Sequence, residues 1–376
     1  MLRPSVDAPP EHDPAVLTNP RQRLDLWSGV LTSVFSYAGH EVRVTTVADP
    51  HHARVAFRVE SELLATGHRT TLVHVDERAC RFDQALDESR YAMRLDWSQG
   101  TINAIDEHDF VLTTSATTLE VVAGFSPGEE LARGEFTPIE GDARAWWQRF
   151  WRSGAAIDFA GSTDPRAAEL ERRVVLSQYL TAVNCAGTTP PQETGLVTNS
   201  WHGKFHLEMH WWHAAHFATW GRPELLERGL DWYLSILDTA RETAGRQRHT
   251  GARWPKQVGP DGRESPATLL DIRDNWAWDT AWGWDFPAMA MTATRIGRPD
   301  LAVDSLLMDT AKNQYLPTGH SPQIGSLLPI YLPANGGLLA AVSLMAAGWD
   351  GTDTDSPGFP RDGRWSVRHE GFTPWP

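Results

Sequence analysis

From Leu24 to Gly124 apolar and polar residues alternate with a period of two. The runs VLTSVF, EVRVTTV, RVAFRV, TTLVHV, YAMRLDW, TINAI, FVLTT and LEVVAGF are separated by turn-like AGH, DPHH, ATGH and SQG. This pattern predicts about eight antiparallel strands, each with one buried face, and an all-β half of that kind packs as a sandwich. Around 125–142 the composition shifts to Gly, Pro and Glu (SPGEELARGEFTPIEGD) and the apolar period becomes that of a helix. Helices are expected at 143–159, 165–185, 203–219, 222–243, 274–296, 298–309 and 335–348. The fold class is therefore α+β and multidomain: a disordered N-terminus at 1–18, a β-sandwich at 19–125, a linker at 126–142 and a helical domain at 143–376.

Two helix junctions share a signature, HFATWGRPELLERGL at 216–230 and TATRIGRPDLAVDSL at 292–306. In each, Gly221 or Gly297 suits the left-handed position after a helix, and Pro223 or Pro299 suits the first turn of the next. These are αα-hairpins. Their spacing fits two repeats of ~38 residues in a stacked or toroidal helical array. The closing run ANGGLLAAVSLMAAGW is small and apolar on every side, as packed core requires.

Composition narrows the function. The 34 Lys and Arg stand against 48 Asp and Glu, net −14, with no purely basic run of five, which disfavours binding to a phosphate backbone. Two cysteines, Cys80 and Cys185, make neither a disulfide framework nor a four-thiolate zinc site, and they fit a reducing, cytoplasmic location. The near-apolar stretch from Leu338 to Trp349 is far short of the ~20 residues that span a membrane, and MLRPSVDAPPEHDP lacks the apolar core of a secretory signal. No Gly-rich phosphate loop, nucleophile elbow or kinase motif occurs. No membrane or nucleic-acid partner and no cofactor is expected.

Tryptophan occurs 18 times, 13 of them between Trp146 and Trp284, in stretches rich in His, Asp and Glu. Indoles beside carboxylates suit a flat, hydroxyl-rich ligand, because sugar rings offer C–H faces to aromatics and O–H groups to acids. The densest stretch runs from Asn199 to His216. There His206, His210 and His213 recur at helical spacings of four and three, which leaves a zinc site open, although the glutamate is not placed as in HExxH. The favoured reading is a polar aromatic pocket lined by this helix, with Trp201, His202 and Lys204 on its leading loop, His206 beside them, and Glu208 reaching ligand hydroxyls. Structural packing of the same side chains is the bland alternative. A second cluster, Asp274–Phe286, carries four indoles and three carboxylates, too many for one buried face. Asn275, Asp279 and Trp282 share a helical face there, Trp278 accompanies them, and Asp285 has local backbone as a competing partner. Lys256, Glu264, His320 and Gln323 lie in polar loops, where binding groups concentrate.

The runs NSWHGKFHLEMHWWH, RWPK, NWAWDTAWGWDFPAMAMTA and YLPANGGLLAAVSLMAAGWDG, with RLDLWSGVLTSVF in the β-half, resemble the bacterial six-hairpin glycosidases related to glycoside hydrolase family 65. The resemblance implies a β-sandwich, a linker and an (α/α)6 toroid with a central site. It also implies that a carboxylic acid protonates the leaving glycosidic oxygen while carboxylate-activated water, or phosphate, attacks the anomeric carbon. A complete toroid has twelve helices, and the residues after 143 are too few for that, so part of the barrel and of the N-terminus is expected to be missing. Relatives place their general acid in the part that this chain lacks, between segments matching RESP and NWAWD. Glu208, Asp279 and Asp285 are therefore the candidate catalytic residues, with Trp201, His202, Lys204, His206, Lys256, Trp278, Trp282, His320 and Gln323 as candidate sugar contacts. The function expected is general acid/base cleavage of a small glycoside or oligosaccharide. The alternatives are a phosphorolytic enzyme and an inactive carbohydrate-binding remnant. An incomplete toroid exposes apolar helix flanks and invites self-association into a homo-oligomer.

Overall fold

The computed structural model describes residues 2–5, 17–65, 69–73, 81–86, 89–104, 109–126, 133–198, 203–263, 281–324 and 328–376. The chain forms two compact units, 1–152 and 153–376. In the first, seven antiparallel strands make one sheet: β2 (Thr18–Asp25), β3 (Val30–Tyr37), β4 (His40–Ala48), β5 (Arg54–Glu60), β7 (Arg81–Leu86), β8 (Ser89–Trp97) and β11 (Thr118–Ser126). Their order is β2-β3-β4-β5-β11-β8-β7, and a four-stranded sheet, β1 (Leu2–Ser5), β6 (Arg69–Val73), β10 (Asp109–Thr113) and β9 (Thr101–Ala104), completes the unit. A single helical turn, α1 (Glu62–Ala65), follows β5. Alternation divides each central strand between two cores. Phe57 and Val59 of β5 and Leu119, Val121 and Ala123 of β11 face a core shared with Leu112 and Ile102 of the smaller sheet. Ala56 and Val122, on the opposite face, meet Phe136, Ile139 and Ala143 of helix α2 (Phe136–Arg152).

Three expectations change here. Helix α2 begins at Phe136 rather than at 143 and packs on the sheet, so it belongs to the β unit and not to the helical domain. Strand β1 lies within the segment expected to be disordered and pairs with β6. β2 carries Pro20 and is exposed along almost its whole length, which is why no alternation marked it.

The second unit is helical. Among the described residues it holds α3 (Ala167–Cys185), α4 (Leu207–Thr219), α5 (Pro223–Glu227), α6 (Asp231–Ser235), α7 (Leu237–Arg246), α8 (Asp285–Arg295), α9 (Pro299–Leu306) and α10 (Leu332–Ala347). That is fewer than the twelve of a complete toroid. Two short strands, β12 (Ala156–Asp158) and β15 (Arg368–Glu370), pair antiparallel and tie the start of the unit to its end. Helix α10 is the centre: it is buried on every side and packs against α3, α4 and α8, which explains an apolar pattern with no polar face. Its crossing with α4 depends on Gly336, where a Cβ would lie 2.0 Å from the Trp212 carbonyl oxygen. Trp220 at the end of α4 donates its indole N–H to the Leu339 carbonyl at 2.8 Å, so even its polar edge is satisfied in the core.

Both expected hairpin joints occur. Gly221 and Gly297 have φ of +69° and +72°. In each joint the two residues after the helix cap donate back to its last turn: Arg222 to Phe217 and Gly221 to Ala218, then Arg298 to Ala293 and Gly297 to Thr294. This doubled bond uses carbonyls that the helix itself leaves unpaired. The same pattern closes α7, where His249 donates to Ala244 and Arg248 to Gly245, but there the left-handed residue is Arg248, with φ +60°. Arg248→Gly removes the Cβ penalty at that position. It is expected to raise stability by ~0.5–1 kcal/mol, read as an upward shift of the urea midpoint.

The expected helix 222–243 is three short ones. Gly229 interrupts the first break, and Trp232 is drawn aside by its indole bond to the Pro260 carbonyl at 2.9 Å. In the expected helix 274–296, Ala281–Trp284 are not helical and the helix starts at Asp285. No helix of the described residues is long and apolar enough to cross a membrane. Cys185 is buried with a free thiol, and Cys80 lies outside the described residues.

Candidate functional site

Two short strands build the near side of the site. β13 (Phe205–His206) pairs antiparallel with β14 (Gln257–Val258), and Leu207 donates to the Lys256 carbonyl at 2.8 Å. A small apolar cluster of Phe205, Leu207, Trp232, Ile236 and Val258 fixes the pairing. This register brings the RWPK loop to the start of α4, where Lys256 Nζ lies 2.7 Å from Glu208 Oε2. Both side chains are about half exposed, at 57% and 48%, so the pair adds at most ~1 kcal/mol of stability. Its consequence is positional: the two side chains are held together at the mouth of the helix.

The histidines of this stretch point inward. His206 precedes α4 in β13, so the three candidate ligands do not share one helical face. Its Nδ1 is 3.8 Å from Glu193 Oε1. His210 is bonded through Nδ1 to the Tyr233 hydroxyl at 2.8 Å, and His216 through Nε2 to the Thr181 hydroxyl at 3.1 Å. His213 is wholly buried, with the Glu193 backbone acting on its ring. Burial holds His206 and His210 down at about 4 and His213 and His216 at about 3, so all four are neutral at pH 7. Among the described residues no three His, Cys, Asp or Glu side chains are grouped to hold a metal ion.

The centre of the site is Tyr331, at the N-terminal cap of α10 and 1% exposed. Burial raises its phenol well above the usual range, and the charges of Glu193, Asp285 and Glu208 add to the effect while a bond from the Trp284 indole opposes it. The carboxylates that act on this phenol come from three separate segments: the loop at 186–198, the first turn of α4 and the first turn of α8. The Tyr331 hydroxyl itself points to the Met209 sulfur at 3.6 Å, and the Trp282 ring lies 5.5 Å away at 37°.

Asp285 is buried, and its Oδ2 accepts the Trp282 backbone N–H at 2.7 Å. Burial pushes its carboxyl up, the Trp282 bond pulling the other way. Its conformation depends on the neighbouring turn, which Gln323 locks. The Gln323 Oε1 accepts from Gly283 N–H at 2.9 Å, and its amide nitrogen donates to the carbonyls of Lys312 and Pro322. A Cβ on Gly283 would meet the Gln323 amide nitrogen at 3.0 Å, so the two fit only as a pair.

Of the sequence candidates, Trp282 packs on Tyr331, Asp285 accepts from the Trp282 backbone, and Glu208 pairs with Lys256 beside His206 in β13. Gln323 holds the backbone under Trp282 instead of presenting a free amide. His320 bonds its own neighbour, Thr318, at 3.0 Å, and Lys204 is half-buried ahead of β13. Trp201, His202, Glu264, Asn275, Trp278 and Asp279 lie outside the described residues. Sequence reasoning missed Glu193, Tyr331 and Trp284. Glu193 sits in a Pro-rich loop with no periodicity, and Tyr331 opens a stretch that reads as plain core.

No family model matches the sequence, and no curated protein matches it. Among solved structures the chain is similar to one assigned as a kojibiose phosphorylase, from the human microbiome, with a TM-score of 0.48 and 11% identity over 80% of this chain and 47% of that one. It is also similar to a bacterial glucoamylase complexed with acarbose, with a TM-score of 0.39 and 10% identity over 77% and 48%. A glycosyl hydrolase of family 92 gives a TM-score of 0.29 and 16% identity over 74% and 39%. The chain spans less than half the length of each of these.

Proposed function

We propose that this protein cleaves a glycosidic bond of a small glycoside or oligosaccharide by general acid/base chemistry. The observation that carries the reading is a half-exposed Glu208 paired with Lys256 at the start of α4 and a buried Asp285 at the start of α8, with the Trp282 ring on Tyr331 and Trp284 on Trp212. Two carboxyl groups in contrasting surroundings are what such a reaction needs. Asp285, desolvated and raised, suits the acid that gives its proton to the leaving oxygen. Glu208, half-exposed and 2.7 Å from Lys256, suits the base that takes a proton from the attacking water. The indoles supply apolar faces for the sugar ring. The sequence resemblance to six-hairpin glycosidases supports the same chemistry.

The test is release of reducing sugar from gluco- and galacto-disaccharides, with and without inorganic phosphate. Glu208→Gln and Asp285→Asn keep shape and remove the ionisable group, and the amide oxygen introduced by Asp285→Asn can still accept the Trp282 N–H. Each is expected to lower turnover about 10²- to 10⁴-fold. Both are expected to keep the rise in melting temperature that a bound sugar gives. Turnover only with phosphate makes the reaction phosphorolysis. A parent protein whose melting temperature rises with sugar but that releases none is a binding protein, and the cleavage reading falls.

A further inference from the structure

One face of α4 is left over from all the packing described so far. Met209, His210, His213, Ala214, His216 and Phe217 are buried. Glu208 and Trp211, three residues apart and so on one face, are exposed, whereas the Trp212 ring lies against Gly337 of α10 and against Trp284. Trp211 is 43% exposed. Single exposed apolar side chains are ordinary, but this indole is held from two sides. Trp212 meets it edge-on, with ring centroids 4.6 Å apart, and Trp375 leans on it at 5.6 Å and 42°.

Trp375 is itself anchored: its N–H donates to the Ser343 hydroxyl at 3.0 Å, and that hydroxyl is 3.0 Å from the Thr219 hydroxyl. The row continues inward. Trp212 lies 5.2 Å from Trp284, whose indole reaches the Tyr331 phenol. A chain of ring contacts therefore links the exposed Trp211 through Trp212 to Trp284. Beside its outer end stands the half-exposed Glu208–Lys256 pair, an acceptor and a donor within one ion pair.

We infer that Trp211, backed by Trp212 and Trp375, is a stacking platform for sugar units beyond the cleaved bond, so that the substrate is an oligosaccharide longer than a disaccharide. The inference rests on the proposed glycoside cleavage and names the substrate class for that site. A rigid indole loses little conformational freedom when a ring settles on it. Its apolar face matches the C–H face of a pyranose, and the adjacent ion pair matches ring hydroxyls. A protein partner would find a single exposed indole among charges, a smaller apolar area than stable interfaces use.

The test is calorimetric titration of the Asp285→Asn protein, expected to bind with turnover slowed, with maltose, maltotetraose and the matching cello-oligosaccharides. The same titrations follow in Asp285→Asn combined with Trp211→Ala or Trp211→Phe. The tetrasaccharide of one series is expected to bind about tenfold more tightly than its disaccharide, a difference of ~1.4 kcal/mol. Trp211→Ala is expected to abolish that gain while leaving disaccharide affinity unchanged, and Trp211→Phe to keep most of it. Equal affinity for both lengths, or equal loss of both in Trp211→Ala, overturns the platform and leaves the cleavage reading standing. A change of sedimentation with Trp211→Ala and no change in sugar affinity assigns the face to a second copy of the chain and likewise overturns it. If the parent neither binds nor cleaves any sugar tested, both readings fall together.

Discussion

Lowering the pH from 6.5 to about 5 is expected to remove several kcal/mol of stability from the helical unit and to unfold it before the carboxylates titrate. His206, His210, His213 and His216 sit at about 4, 4, 3 and 3 in the folded chain, against 6.5 for the exposed side chain. Between those values the unfolded chain takes up protons that the folded chain refuses. The stabilisation is complete above pH 6.5 and is lost as the pH falls toward the folded values. Each such histidine contributes a slope of up to ~1.4 kcal/mol per pH unit, and a domain is held by only ~5–15 kcal/mol. Lys256 beside His206 and Arg222 beside His216 add to the cost of protonation, whereas Glu208 reduces it. Asp285, raised by burial, works in the opposite sense and offsets part of one histidine. Ion-paired acids such as Asp164, held at about 2 by Arg166, respond only at lower pH. The measurement is urea unfolding followed by tryptophan fluorescence at pH 7, 6 and 5. A midpoint that does not move would mean that the rings accept protons inside the folded protein. His213→Met should make the slope shallower by the share of one histidine.

Replacing Gly336 with alanine is expected to cost at least ~3 kcal/mol, more than typical overpacking by a single methyl. The added carbon would stand 2.0 Å from the Trp212 carbonyl oxygen and 3.1 Å from that of His213. Both are backbone atoms in the middle of α4, so no side chain can swing aside. Relief requires α10 and α4 to separate, and α10 is the helix on which α3 and α8 also rest. Helix propensity alone predicts the reverse sign, since alanine is favoured over glycine by ~1 kcal/mol. Gly245→Ala, in α7 of the same unit, has open space around it and should show that gain. Thermal melts of the two variants separate the effects, with a fall of ~6–12 °C expected for Gly336→Ala. A melting temperature within a degree of the parent would mean that the two helices cross elsewhere.

How far the sequence could be read depended on what each pattern was reporting. The alternating runs correspond to strands, most clearly at β5 and β11, whose Phe57, Val59, Leu119, Val121 and Ala123 face one core, because period two registers burial directly. β2, polar on both faces, left no trace. The apolar period of α2 was visible, but an amphipathic helix looks the same whether it rests on a sheet or on other helices, so its unit was misjudged. Gly221 and Gly297 were legible because a left-handed residue has a chemical signature. The segment 222–243 kept its apolar helical spacing across Gly229, where the first break falls, and the Trp232 bond to Pro260 is a tertiary contact that no local pattern records. At the candidate site, the aromatic and acidic clustering pointed to Glu208 and Asp285, which the proposed function uses. The pairing of Glu208 with Lys256 needed the β13–β14 register, and Gln323 was read as a ligand group because its backbone partners lie on other segments. Glu193 and Tyr331 matter through where they meet, which neither neighbourhood announces.

Because α10 is the last α-helix of the described chain, the order of synthesis runs against the order of packing. On a ribosome adding roughly 5–20 residues per second, α3 waits on the order of 10 s for the helix that will cover it. The β unit meanwhile has its strands and α2 in hand and can close early. For that interval the nascent helical segment carries the apolar faces of α3, α4 and α8 bare, the kind of surface that holdase chaperones bind. Recovery of soluble protein in a cell should therefore track the availability of such chaperones more closely than any change made in the first 152 residues.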